Sequence, residues 1–150
     1  MMRLIVGLSG SSGVIYGIRL LEKLAEREDV EVHLIISQAA RMNIGIETDW
    51  TAERVEALAD VVHSNKNIGA SIASGSFKTA GMTVVPCSIK TLSAIAHSHA
   101  DNLMVRAADV VLKERRKLVI VPRETPLHTG HCELMLRASQ IGAIICPPSP

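Results

Sequence analysis

Gly7, Gly10 and Gly13 stand at intervals of three, with Ser9, Ser11 and Ser12 between them. The apolar run Leu4-Ile5-Val6 leads into this segment, and a stretch repeating Val14, Ile18, Leu21 and Leu24 leaves it. Glycine lets the main chain turn tightly and approach a ligand with no Cβ in the way. Hydroxyls and the unpaired amides of a helix start can then converge on one anion, which the positive end of the helix favours. Gly10, Ser11 and Ser12 are therefore candidate phosphate contacts. The spacing is neither the strict G-x-G-x-x-G fingerprint nor a P-loop, because no Gly-Lys-Ser/Thr follows. A tight strand-to-helix corner has the same composition, so on the loop alone both readings stand.

More candidates follow other apolar runs. Ser37 ends Val30–Ile36, as a second ligand contact or as the N-cap of the next helix. Ser88-Ile89-Lys90-Thr91 follow Met82–Pro86. Ser88 reads as an N-cap, and Lys90 in the first helical turn opposes the helix dipole unless it meets an anion. Arg123 and Glu124 follow Lys117–Pro122, at the strand end where open α/β sheets bind ligands. Arg106, Asp109 and Lys113, three and four residues apart, share a helix stripe that is either a solvated, ion-paired face or a row of charges serving a ligand. Glu47, in the break Glu47-Thr48-Asp49-Trp50, reads as a solvated turn residue. Cys87 has no base placed for it by the sequence and reads as a small buried apolar group. The pairs His97/His99 and His128/His131 lack a companion Cys or carboxylate at ligand spacing, so no metal site is expected.

Positioning these residues requires strands that end where helices begin. Periodicity predicts five strands, the first four ending near Leu8, Ile36, Pro86 and Pro122 and the fifth covering Ala143–Cys146. Between them fall helices over about Gly13–Arg27, Gln38–Ile44, a short one capped by Thr51, one after Ser88, Leu103–Arg116 and Thr129–Gln140. His63–Asn67 reads as a polar loop, and Ile68–Gly75 as a segment of small residues. Strand and helix in regular alternation predict a doubly wound parallel sheet in three αβα layers, Rossmann-like or flavodoxin-like, with right-handed crossovers. The 150 residues suit a single domain, and 47% hydrophobic content is ample for a core.

A net charge of +1 and only 2% aromatic residues argue against nucleic acid or an anionic membrane as partner. Three cysteines without a C-x-x-C pair suit a reducing compartment, and the N-terminal apolar run is too short for a leader or a membrane span. A cytoplasmic location is expected.

Four segments occur in this order: Gly7-Leu8-Ser9-Gly10-Ser11-Ser12-Gly13, Val85-Pro86-Cys87-Ser88-Ile89-Lys90-Thr91-Leu92, Arg106-Ala107-Ala108-Asp109-Val110-Val111-Leu112-Lys113-Glu114, and Leu118-Val119-Ile120-Val121-Pro122-Arg123-Glu124-Thr125-Pro126. Together they resemble the UbiX-type flavin prenyltransferases, a family that includes the small subunits once called aromatic-acid decarboxylases. The likeness covers essentially the whole chain. It implies a flavoprotein fold assembled from trimers into a homo-oligomer, typically a dodecamer, with flavin at the subunit junctions. It also implies that Gly10, Ser11, Ser12, Ser37, Ser88, Ile89, Lys90, Thr91 and Arg123 bind FMN. Ser12, Glu47, Arg106, Lys113 and Glu124 match the positions around the prenyl phosphate and the reactive flavin edge.

The implied reaction joins a dimethylallyl group from dimethylallyl phosphate to N5 and C6 of reduced FMN, without a metal. The product is the prenylated-FMN cofactor of a partner decarboxylase. Family members continue past the Pro-rich stretch with a tail that helps close over the prenyl phosphate, and that tail is absent from this chain. Two other functions fit the fold class: a flavin-dependent cysteine-type decarboxylase, whose Pro-x-Met-Asn-x-x-Met motif is missing here, and a flavin carrier without chemistry.

Overall fold

The computed structural model describes residues 1–149. Strand β1 (Met2–Leu8) lies at the centre, because its residues Ile5 to Leu8 are buried and can be satisfied only by neighbours on both sides. It pairs in parallel with β2 (Val30–Ile36) along its whole length, from Met2 opposite Val30 to Leu8 opposite Ile36. On its other side it pairs with β4 (Gly81–Cys87), from Leu4 opposite Gly81 to Gly7 opposite Val84. The sheet is completed by β3 (Val61–His63) beyond β2, and by β5 (Lys117–Pro122) and β6 (Ile144–Ile145) beyond β4. All its strands are parallel, in the order β3-β2-β1-β4-β5-β6. This is the Rossmann order rather than that of flavodoxin, and it puts the reversal of winding between β1 and β4.

Each face of the sheet carries its own core. Helices α1 (Val14–Ala25), α2 (Gln38–Glu47) and α3 (Ala52–Glu56) cover one face, where Ile18, Leu21, Ile44 and Val55 pack on Val6, Leu8, Leu34 and Ile36. Helices α4 (Ile89–Ala96), α5 (Leu103–Lys113) and α6 (Thr129–Gln140) cover the other, where Leu92, Ile95, Met104 and Val111 meet Ile5, Ile35, Met82, Val84 and Ile120. Alternate residues of one strand feed opposite cores, as the two-residue period requires. Burying each such Leu or Ile is worth about 1.5–3 kcal/mol, so both helical layers are held mainly by apolar contact.

Three boundaries differ from the sequence expectation. The sheet has six strands rather than five, because Val61–His63 adds β3 at the edge. Three residues, two of them exposed, carry too little periodicity to announce a strand. Helix α2 runs on to Glu47, so this residue ends a helix instead of lying in the turn after it. Helix α5 stops at Lys113, because Arg115 turns left-handed at φ 59° and its amide, with that of Arg116, closes back on Leu112 and Val111.

Beside β3 lies a buried polar group. His33, 3% exposed, places Nε2 at 2.7 Å from Glu31 Oε1 and Nδ1 at 2.9 Å from His63 Nε2. Arg3 pairs with Glu31 at 3.4 Å and stands over Phe77, whose ring meets His33 edge-on. Burial, and then the charge of His33, hold the His63 titration below its ordinary value of 6.5. Unfolded His63 therefore takes up a proton at a pH where the folded residue still refuses it, so stability falls as pH drops through 6.5 towards the lower folded value. Glu31, whose carboxyl is held low chiefly by its bond to His33, adds loss of the same sign at more acid pH. We expect the urea midpoint to fall between pH 7.5 and pH 5.5, and His63→Gln to flatten that slope.

Candidate functional site

The carboxyl ends of β1, β2 and β4 open into a cleft of about 1010 Å³, lined among others by Gly10, Ser37, Ser88, Lys90 and Thr91. Each lining segment has a local cause. Ser37 leaves β2 extended and its Oγ accepts the Ala40 amide, so it caps α2. Ser88 does the same for α4 through the Thr91 amide, and its hydroxyl donates to Thr91 Oγ1 at 3.0 Å. These caps claim the third amide of each helix. The amides of Gln38 and Ala39 in α2, and of Ile89 and Lys90 in α4, have no partner among the described residues. Two helix N-termini thus meet at the topological switch point, where open α/β sheets hold their ligands.

The Gly/Ser loop is fastened from several sides. Buried Ser9 donates its hydroxyl to the Pro86 carbonyl at 3.0 Å and accepts the Ser88 amide at 2.7 Å, which stitches the ends of β1 and β4 together. Asn43 of α2 donates to the carbonyls of Gly10 and Ser11. Gly10 lies so close to α2 that a Cβ there would collide with the Ala39 Cβ. Gly13 adopts φ 95° and its amide, with that of Val14, donates to Glu47 Oε1 at 3.1 and 3.3 Å. Glu47 therefore caps α1 from the far end of α2, in place of the cap that Gly13 cannot supply. The residue that reads as a solvated turn in the sequence has a structural task, and only the contact between the end of α2 and the start of α1 reveals it.

The remaining expected residues fall into three groups. Arg123 lies at the end of β5, its side chain beside Gly13, and exposed Glu124 follows it. Ile89 lines a neighbouring cavity of about 590 Å³ between α4 and α6 with His97, His128, His131, Glu133 and Arg137. Arg106 is half-buried on α5 two residues beyond Met104, which with Val105 forms a wall of the cleft. Lys113 is two turns further, about 10 Å along the helix axis, and its Nζ donates to Glu114 at 3.3 Å beside Gly75. Within one chain Lys113 thus lies beside Gly75, Arg123 and Glu47 lie at the Gly13 end of the loop, and Ile89 lines the neighbouring cavity.

Gln38, Ala39, Met42, Asn65, Asp101, Met104 and Val105, which no sequence motif singles out, also line the cleft, together with His99 and Asn102. Asn102 carried a usable signal, an Asn directly before the apolar period of α5, and its Oδ1 caps Val105. Asn65 carried none, since it enters from the polar loop after β3 by a contact 39 residues long in sequence.

Cys87 is walled off from the cleft. Burial pushes its thiol up to about 12, against a small opposing effect of the Ser9 hydrogen bond. A thiol held protonated is a poor nucleophile. We expect iodoacetamide to label exposed Cys132 and Cys146 while Cys87 stays unmodified until the protein is denatured, as read by peptide mass spectrometry. Among the described residues no group of three His, Cys, Asp or Glu side chains is placed to hold a metal ion, and no helix is long and apolar enough to cross a membrane.

Residues 1–148 match the family described as Flavoprotein. The chain is 61% identical over 150 residues to the flavin prenyltransferase UbiX of Escherichia coli strain K12, covering all of this chain and 79% of that protein. It belongs to the UbiX-type flavin prenyltransferase family. Among solved members of that family, a dodecameric FMN-dependent UbiX-like decarboxylase from Escherichia coli O157:H7 superposes with a TM-score of 0.98 at 52% identity, over 99% of this chain and 80% of that one. An AnUbiX structure in complex with FMN and dimethylallyl pyrophosphate gives 0.97 at 48% identity, over 99% and 79%. The UbiX-type fold is therefore matched over 99% of the chain.

The residues present fit a flavin mononucleotide. Free amides at two helix starts, the Ser37 and Ser88 caps and Lys90 suit a phosphate dianion. Ala39, Met42, Ala94, Met104 and Val105 give the same cleft an apolar lining suited to a planar ring.

Proposed function

We propose that this chain transfers a dimethylallyl group from dimethylallyl phosphate to reduced FMN, making the prenylated-FMN cofactor used by a partner decarboxylase. The observation that carries this reading is the convergence of a Gly/Ser loop and two open helix N-termini on one cleft, in a chain of the flavin prenyltransferase family. Reduced FMN supplies the nucleophilic ring atoms that accept the prenyl group. The protein must hold the two substrates, let phosphate leave and exclude water.

Gly10, Ser11, Ser12, Ser37, Ser88 to Thr91 and Arg123 hold the FMN in this reading, with the phosphate on the unclaimed amides of α2 and α4. Breaking the allylic C–O bond leaves both electrons on the departing phosphate, so fixed cations there lower the barrier. Arg106 and Lys113 supply that charge. In this reading they act at a junction between subunits, where Lys113 of one copy serves a neighbour, and the homo-oligomer is proposed as a dodecamer, as in the dodecameric relative. Glu124 is the proton donor and acceptor for the phosphate, and Ser12 orients it. Glu47, already fixed by the Gly13 and Val14 amides, holds negative charge beside the loop.

Residues 1–150 form the flavin-holding body in this reading. A cytoplasmic setting accompanies it, since free thiols persist where glutathione keeps them reduced. The test is anaerobic incubation with reduced FMN and dimethylallyl phosphate, or the pyrophosphate in a parallel sample, followed by mass spectrometry of the extracted flavin. A mass gain of one prenyl unit supports the reading, and unchanged FMN returned by a folded, flavin-loaded protein rejects it.

A further inference from the structure

Asn65 stands in the wall of the cleft and also fastens α5 from outside that helix. Its backbone carbonyl accepts the Leu103 amide at 2.9 Å, and its side-chain Oδ1 accepts the Met104 amide at 2.8 Å. Asn102 takes the next two, Val105 by its Oδ1 at 3.0 Å and Arg106 by its carbonyl at 3.0 Å. The amides of Leu103, Met104 and Val105, which have no acceptor within the helix, are thereby satisfied, and the first turn of α5 has none left for an anion.

The Met104 bond also decides which way the Asn65 amide faces. A backbone N–H must be met by Oδ1, so the amide cannot flip, and its two Nδ2 donors are turned away from α5. They have no partner among the described residues. An amide donor that has no protein partner and lines a ligand cleft is available to an acceptor on the ligand. Its neighbours indicate which part of the ligand this is. Met104, Val105 and Ala94 are apolar, and Asp101 on the same wall disfavours a phosphate dianion, whose place is at the α2 and α4 starts instead.

We infer that Asn65 is a flavin-binding and positioning residue, donating from Nδ2 to a carbonyl oxygen of the isoalloxazine ring while its Oδ1 sets the height of α5 and so of Arg106. The inference rests on the flavin reading above and adds a ring contact to it.

Asn65→Asp separates the two tasks of this side chain. A carboxylate still accepts the Met104 amide, and a negative charge at a helix start is favourable, so the melting temperature is expected to equal or exceed that of the parent protein. The donor is lost, and the Kd for FMN and for riboflavin, read by quenching of flavin fluorescence, is expected to rise tenfold or more for both. Unchanged riboflavin affinity would reduce Asn65 to a helix cap and overturn the inference. A marked drop in melting temperature would overturn it as well, because the amide orientation on which it depends would be wrong. If the parent protein binds neither flavin, the flavin reading itself falls, which is a different result from parent binding that the variant retains.

Discussion

Glu124→Gln is expected to slow prenyl transfer by about 10²- to 10⁴-fold while leaving FMN affinity and melting temperature unchanged. The glutamine has nearly the same shape and can still accept one hydrogen bond, but it cannot give or take a proton on the departing phosphate. Glu124 follows the end of β5 in an exposed turn, so its replacement removes no core contact and creates no cavity. A loss of rate can then be read as lost proton chemistry. Single-turnover formation of prenylated flavin by the loaded protein isolates the chemical step from substrate binding. A variant as fast as the parent would remove Glu124 from the mechanism and leave the phosphate to depart on Arg106 and Lys113 alone.

The second large effect is on binding. Gly10→Val should lower FMN affinity by about 10²- to 10⁴-fold, from the loss of two charge-assisted hydrogen bonds worth about 1.5–3 kcal/mol each. The physical cause is the contact with Ala39: any Cβ at position 10 overlaps the Ala39 Cβ, so the loop or the first turn of α2 must move. Either movement misplaces the Gln38 and Ala39 amides relative to those of Ile89 and Lys90. The shift is confined to the loop and the first turn of α2, where only small Ala40 enters the core, and far-UV circular dichroism should be unchanged. Full retention of FMN affinity would mean that the phosphate is not held at the α2 start.

Both predictions depend on elements that local sequence announces well. Apolar runs ending in Ser37, Ser88 and Arg123 mark strand ends, and Ser, Thr or Asn before an apolar period marks a helix start, because a cap is a bond between a side chain and an amide three residues on. The helical layers were legible for the same reason, with Val14, Ile18 and Leu21 on one face of α1 and all three buried. The four segments shared with the flavin prenyltransferases carried the family, and the candidate FMN residues with it. Legibility failed where the signal was short. Strand β3 has three residues, and it exists because His33 and Ile35 of β2 give it a partner, with the His33–His63 bond at 2.9 Å across the pair.

The sequence by itself determined the alternation of strands and helices, the caps, the two apolar faces and the family, since each of these is written in the period or the order of neighbouring residues. Only the tertiary structure decided the strand order, and with it the single cleft in which the ends of β1, β2 and β4 meet. It also gave Glu47 to the start of α1, Asn65 to the start of α5 and Ser9 to the link between β1 and β4, contacts that span 33 to 79 residues. Lys113 likewise lies apart from the loop because a helix rises about 1.5 Å per residue, whatever chemistry its side chains share. Contacts of that range depend on how whole layers pack, and no local pattern encodes them.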